Sequence, residues 1–382
     1  MDRGSGAVDD APRPFFKGSG GDCIVEALAK RGIGYKYLRP EQITNAELTG
    51  RTVAEFRIND ATYYFGGGSL RVFDPHGVRV PGPLIDGPKA RFLRKKDAVK
   101  SFLREHGLNV PRGAVFVRDA QDEAASFFAT FAPALPDGVC VKPADGRWGR
   151  LVHLGIRDMD SFQTAFAAVG EHYARVLVEE TVRGPVYRFN GLAGRVIAAE
   201  FQRPANVEGD GTHTIAELVE IKNAERRLHP THASPLRLGR RQREFLSREG
   251  FRPGHVPEPG RLVFLSRLSN LHQGGEHSDA TDAVHQSYVE LVEHALKQLP
   301  DVVLCGVDTV IPDASVPATC DNYHILELNR CPGFSTSHYP WRGQPRDVAG
   351  AIIDYLATRT PARPAPRHFG ERIRQALWGR LG

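Results

Sequence analysis

The first residues, MDRGSGAVDDAPRPFFKGSGG (1–21), mix Gly, Pro and charge without a hydrophobic period and read as a flexible lead-in. From Asp22 the pattern changes. CIVEALAKRG has apolar residues at helical spacing up to Gly32, and VAEFRI and ATYYFGG then alternate as strands about a turn at Asn59-Asp60, defining a small α/β unit over 22–90. KKDAVKSFLREHGLNVPRG predicts a helix with Val99, Phe102, Leu103 and His106 on one face, closed by Gly107. A strand (114–117), a helix (122–131), the strand GVCVKP, the loop ADGRWGR, the strand LVHLGI, the helix DSFQTAFAAVGEH and the strand RVLVEE complete a second unit, 91–185. This alternation predicts α/β layers.

After Gly184, YRFNGLAGRVIAAEFQR predicts an antiparallel hairpin about Asn190-Gly191 or Gly194, so the sheet becomes mixed α+β. Thr214 and Glu217 form a capping box opening a helix to about Arg226. Residues 229–260 read as loop with one short helix (241–248). A long helix from about Thr281 to Leu299 precedes the strands VVLCGVDTVIP and NYHILELNR, and DVAGAIIDYLA closes the unit 186–360. In 361–382, PARPAPR is a linker, and Phe369, Ile373, Leu377 and Leu381 form a narrow stripe read as a helix docking on the body.

A length of 382 residues suits two or three domains, and 41% hydrophobic with 25% charged residues indicates a folded globular chain. The net charge of +5 is mild, and the basic patches Arg91 to Lys96 and Arg237 to Arg243 lack interleaved aromatics, so no nucleic-acid partner is expected. Five scattered cysteines without a CxxC pair argue against a disulfide framework or zinc site and suit a reducing cytoplasm. No apolar stretch reaches membrane-span length and no signal peptide is evident, so no membrane partner is expected.

The most specific chemistry lies near the end. In YHILELNRCPG a period of two puts Ile325, Glu327 and Asn329 on one face and Leu326 and Leu328 on the other. Asp308 stands in the apolar strand VLCGVDTVI, where a charge needs a reason. Three hard oxygen donors suit Mg²⁺ sharing its coordination with phosphate oxygens; a structural hydrogen-bond cluster is the competing reading. Lys142 ends an apolar strand before Gly146 and Gly149, a fixed cation beside a loop whose backbone can approach phosphates. Alone, two glycines establish only a turn, and Lys96 before a helix says less. In RVLVEETVRG a strand ends in the two carboxylates Glu179 and Glu180, and the segment could offer backbone groups to an adenine edge or be an exposed strand end.

Taken in order, these pieces resemble the ATP-grasp ligases, more closely the branch with cyanophycin synthetase and the ligase domain of bifunctional glutathione synthetase. The resemblance runs over about 91–357. KKDAVKSFLREHGLNVPRG is similar to that family's lysine-bearing opening helix, VCVKPADGRWGR to its phosphate strand and loop, and VLVEETVRG to its adenine hinge. QRPANVEGDGTHTIAELVEIKNA, SRLSNLHQGGEHSDATDAVH, GVDTV, ELNRCPG and SHYPWRGQPRDVAGAIIDYL continue the series.

The resemblance implies an ATP-grasp fold of three subdomains with a central lid. It further implies an ADP-forming ligase that activates a carboxylate as an acylphosphate and joins it to an amine, with amino acids or peptides as substrates and ATP and Mg²⁺ (or Mn²⁺) as cofactors. Lys96 and Lys142 match the lysines that hold ATP phosphates under the loop Gly146 to Gly149; Glu179, Glu180 and the backbone of Val182 match the adenine hinge. Asp308, Glu327 and Asn329 match the metal ligands, and Arg267 the arginine on the transferring phosphoryl group. Arg188, Arg203, His338 and Arg342 fall on the substrate side. Cys331, beside the metal motif, reads as a buried bystander. One departure is visible: where the family usually has an acidic residue for the ribose hydroxyls, this chain has Val186. A homodimer is expected by analogy. A non-catalytic nucleotide-binding protein of the same fold and a carboxylate–thiol ligase are the alternatives.

Overall fold

Ser19 accepts a hydrogen bond from the Asp22 amide and opens α1 (Gly20–Lys30), so part of the segment expected to be flexible is ordered. The cap and the buried face of Cys23, Ile24, Ala27 and Leu28 outweigh the poor helix propensity of Gly20 and Gly21. The structure, a computed structural model, describes residues 17–38, 53–59, 61–66, 69–73, 79–80, 92–146, 149–299, 302–330 and 332–358. The apolar stripe of 361–382 and Cys331 lie outside them.

After α1 comes an antiparallel sheet of β1 (Tyr35–Leu38), β2 (Val53–Ile58), β3 (Ala61–Gly66), β4 (Ser69–Phe73) and β5 (Arg79–Val80), paired in sequence order. Asn59, at φ 53°, carries the turn between β2 and β3. Next is α2 (Lys96–Glu105). A four-stranded sheet, here the small sheet, follows with β6 (Gly113–Val117), α3 (Gln121–Phe131), β7 (Val139–Pro143), β8 (His153–Ile156), α4 (Met159–Gly170) and β9 (Arg175–Glu180), ordered β6-β9-β7-β8. Its pairs are all antiparallel, and α3 and α4 cover one face, with Phe128 stacked on Phe162 at 4.4 Å.

The large sheet begins with the hairpin β10 (Val186–Leu192) and β11 (Arg195–Arg203). The turn is at Ala193-Gly194, where both residues have positive φ, and Asn190-Gly191 holds a bulge instead. β12 (Asn206–Glu208) is followed by α5 (Ile215–Leu228), which carries the capping box, and by α6 (Arg240–Arg248) and β13 (Leu262–Phe264). β12 and β13 pair, a ribbon too short to show a period of its own, and with the two helices they enclose Val207, Ile215, Leu246 and Val263. β14 (Glu276–Asp279), α7 (Gln286–Gln298), β15 (Leu304–Val310), β16 (His324–Asn329), α8 (Ser335–His338) and α9 (Val348–Ala357) complete the chain. The order in the large sheet is β14-β11-β10-β15-β16, wholly antiparallel. The helix expected from Thr281 starts at Gln286, because Ala280 to Ala283 close a turn and the His285 side chain caps the Ser287 amide.

Two cores fix how the walls meet. α2 and α7 bury Val99, Leu103, Tyr288 and Val292 against Val307, Ile325 and Leu328 of the large sheet, so α2 packs with that sheet while its N-terminus touches the small one, where the Lys96 amide bonds the Ala144 carbonyl at 3.3 Å. On the opposite face, α1, β2 and β3 share a core with α9. One expectation fails here. The register steps from Asp308↔Glu327 to Thr309↔Ile325, so Leu326 is an extra residue in a bulge, and Ile325 is buried with Leu328 rather than beside Glu327. Leu326 lines the cavity described next. Among the described residues no helix is long and apolar enough to cross a membrane.

Candidate active site

Between the small and large sheets lies a cavity of about 1260 Å³, lined by residues of both and by the 260–272 segment. On the small-sheet wall, Lys142 and Glu179 are the penultimate residues of β7 and β9. Cys140 is the cross-strand partner of Glu179, so Lys142, two residues on, shares that face. The Lys142 ammonium lies 2.5 Å from one Glu179 oxygen, and Lys100 of α2 lies 2.9 Å from the other. Lys100 and Glu179 are almost fully buried. Burial works against the charge of Lys142, but Glu179 outweighs it and holds the ammonium protonated above its usual range. Burial brings Lys100 down to about 8 despite Glu179. Glu179 is kept ionised against its burial by the two lysines.

The large-sheet wall is a cross-strand row in register, Glu200↔Arg188↔Asp308↔Glu327. Arg188 grips Asp308 with two bonds, Nη2 to Oδ2 being 2.7 Å, and Asn329 donates to Asp308 at 2.9 Å and to Glu327 at 3.2 Å. Lys96, opening α2, crosses to Glu327 at 2.6 Å. Burial works against ionisation of Glu327, yet Lys96, Arg188 and Lys142 hold its carboxyl far below the usual range. Burial, helped by Glu327, pushes Asp308 up against the pull of Arg188. Among the described residues no three His, Cys, Asp or Glu side chains converge as a metal cluster. The donor set at this point is two carboxylates, each within 3.2 Å of one amide, which suits a hard cation once the amide turns its oxygen inward.

The other expected site residues divide. Gly146 and Gly149 line the cavity; at Gly149 φ is 65°, a left-handed conformation that glycine adopts freely. Glu180 and Val182 also line it, but the Glu180 carboxylate is taken by the Arg112 amide and guanidinium at 2.8–3.0 Å, and Glu179 by the lysines. Of the expected hinge, then, both carboxylates are engaged by cations of the protein, while Val182 lines the cavity. Arg267 lines the cavity and pairs at 3.2 Å with Glu249, the residue that follows α6.

Three of the four residues expected on the substrate side are elsewhere. Gln202 faces the cavity, so strand alternation turns Arg203 to the far side of the sheet, where it and Arg342 line a separate hollow of about 200 Å³. Arg342 pairs with Glu225 at 3.2 Å and sits over the Trp341 ring. His338, half-buried at the end of α8, accepts the Ala349 amide of α9 at 2.9 Å. Arg188 alone of the four lines the main cavity. Conversely, Lys100, Gln202, Glu200 and His277 belong to these walls without having been expected. Lys100 had a signal: it lies one helical turn after Lys96, between the buried Val99 and Leu103.

The described residues have the ATP-grasp fold. Superposed on the crystal structure of a bifunctional glutathione synthetase from Pasteurella multocida, they give a TM-score of 0.59 at 24% identity, covering 88% of this chain and 43% of that one. In sequence the chain is similar to the cyanophycin synthetase of Trichormus variabilis, 32% identical over 265 residues, 68% of this chain and 29% of the relative. It is likewise similar to the glutathione biosynthesis bifunctional protein GshAB of Streptococcus thermophilus, 34% identical over 276 residues, 69% of this chain and 35% of the relative. The chain thus spans about a third of the length of the curated relatives it matches. No family profile matches it.

Proposed function

We propose that this chain is an ATP-dependent ligase that activates a carboxylate as an acylphosphate, releasing ADP, and joins it to an amine of an amino acid or peptide. The observation that carries this reading is the pairing of opposite walls in one cavity: Lys142 and Lys100 about a single carboxylate on one side, Asp308, Glu327 and Asn329 on the other. Phosphoryl transfer asks mainly for positioning and for neutralisation of oxygen charge.

In this reading Lys96, Lys142 and the Gly146 to Gly149 loop hold the phosphates, the Val182 backbone meets adenine, and Arg267 faces the transferring group. Asp308, Glu327 and Asn329 hold Mg²⁺ or Mn²⁺, which supplies charge neutralisation at the phosphate oxygens. The ion pairs Lys96–Glu327 and Arg188–Asp308 then part, freeing Lys96 for phosphate and Arg188 for the substrate carboxylate. Val186 lines the cavity where an acidic residue would contact ribose.

The test is mass spectrometry of the protein with Mg-ATP and a pool of amino acids and short peptides. ADP together with a product equal to two pool members minus water is the expected result. AMP in place of ADP would mean adenylation and overturn the proposal.

A further inference from the structure

Glu200 is buried, and every partner it has fixes its orientation. Asn190 donates to one carboxylate oxygen at 3.1 Å, joined there by Ser337, while Thr336 donates to the other at 2.9 Å. The same second oxygen receives Nδ1 of His277 at 3.0 Å. Burial opposes the charge of Glu200, but the bond from His277, with Ser337 and Arg188, keeps it ionised. An ionised carboxylate only accepts, so Nδ1 carries a proton, and in the neutral ring the lone pair is on Nε2.

That second nitrogen has no partner among the described residues and is shielded from solvent. His277 is 9% exposed and lines the main cavity, opposite Gln202 on the face that carries Arg188 and Asp308. Its backbone is pinned on both sides: the His232 ring accepts its amide at 3.0 Å, and its carbonyl accepts the Trp341 amide at 2.7 Å. A buried nitrogen with a free lone pair, oriented by a carboxylate and rigidly mounted in a ligand cavity, is the arrangement of a general base. The lysines and arginines of the cavity cannot accept a proton, its carboxylates Asp308, Glu327, Glu179, Glu180 and Glu249 each face a cation, and its other histidine, His272, is exposed.

We propose that His277, oriented by Glu200, is the base that deprotonates the incoming amine. The inference rests on the ligase reading above. An amine arrives largely as an ammonium at neutral pH and has no lone pair to attack with. Nε2 takes one N–H proton, and the freed pair forms the C–N bond to the acyl carbon. The C–O bond to phosphate then breaks with its electron pair, and the departing phosphate takes the second N–H proton. His277 returns its proton to solvent, so one ammonium and one acylphosphate give an amide, hydrogen phosphate and a proton.

A half-reaction comparison tests this, using the full chain, Mg-ATP and the amino-acid and dipeptide pool, with and without hydroxylamine. Hydroxylamine is a nucleophile already unprotonated at neutral pH and needs no base. In His277→Gln, amide formation should fall about 100-fold or more, the usual weight of a general base, while the chain keeps most of its hydroxamate and ADP formation. In His277→Ala, added imidazole should restore amide formation, a rescue no packing role would give. Wild-type amide formation by His277→Gln, or equal loss of amide and hydroxamate, would overturn the assignment. AMP from the wild-type chain would instead overturn the acylphosphate on which it stands, and scoring both nucleotides separates the two failures.

Discussion

On the small-sheet wall one carboxylate, Glu179, is shared by two lysines; on the large-sheet wall two carboxylates, Asp308 and Glu327, face one arginine. Counting these side chains alone, with Glu200 of the same row already paired to His277, two positive charges against one negative leave the first group at +1, and two negative against one positive leave the second at −1. Lys96, held at the junction by its backbone bond to Ala144, reaches across to Glu327. Unpaired charges cost several kcal/mol in such surroundings, so a ligand-free cavity must neutralise itself from its own side chains. The difference between the walls shows what each lacks. One wants an anion and the other a cation, which is the charge pattern of a metal–polyphosphate.

The comparison breaks first at catalysis. Lys142→Ala removes the surplus charge of one wall and Glu327→Gln that of the other. Each should lower kcat for ADP release about 100- to 1000-fold with the fold kept, as read by a nucleotide assay beside circular dichroism. Near-wild-type turnover in either would sink the assignment of that wall.

Stability separates the walls next. Glu179→Ala leaves Lys100 and Lys142 facing each other in a buried site and should cost about 3–5 kcal/mol in urea unfolding. Glu327→Gln should cost clearly less, because Glu327 is 35% exposed against 3% for Glu179. Equal losses would mean that the two walls are built alike.

A smaller effect concerns pH. Burial, opposed by Glu179 and aided by Lys142, lowers Lys100 from 10.5 to about 8. Below about 8 it is protonated in both states and its desolvation cost is fully present. Between about 8 and 10.5 the unfolded chain binds more protons, so stability rises with pH across that window. Lys100→Met should flatten this rise relative to wild type, measured as urea midpoints at either end. An identical rise in both proteins would place the titration elsewhere.

Much of this site was legible because its residues break a pattern. Asp308 and Glu327 interrupt apolar strands, and Lys142 stands near the end of one, so each stood out as a candidate before any fold was known. Where residues obey a pattern, legibility depends on parity. Gln202 and Arg203 are neighbours, and only the pairing of β11 with β10 and β14 decides which faces the cavity. The bulge at Leu326 reversed Ile325 for the same reason, since one inserted residue flips a face. Lys100 went unread despite its place one turn after Lys96, because Glu179, with which it pairs, comes from a strand far along the chain. Glu200 and His277 were silent for a related cause: a carboxylate and an imidazole become a pair only when two strands lie side by side.

The smallest expected effect lies where the walls join. Val186 begins β10, pairs with Gln202 and Val310, and lines the cavity just after the hinge glycine, Gly184. The resemblance to ATP-grasp ligases places an acidic residue there to receive the ribose hydroxyls, and valine offers no acceptor. Val186→Glu should therefore tighten ATP by about tenfold, the weight of one hydrogen bond to a charged group, ~1.4 kcal/mol. The gain should vanish with 2′,3′-dideoxy-ATP, which lacks the hydroxyls but keeps the phosphates that both walls engage. Equal tightening of both nucleotides would mean that the new charge acts on the lysine wall instead of on ribose. No tightening of either would mean that ribose lies away from β10, and that the hinge of this chain holds its nucleotide by the base and phosphates alone.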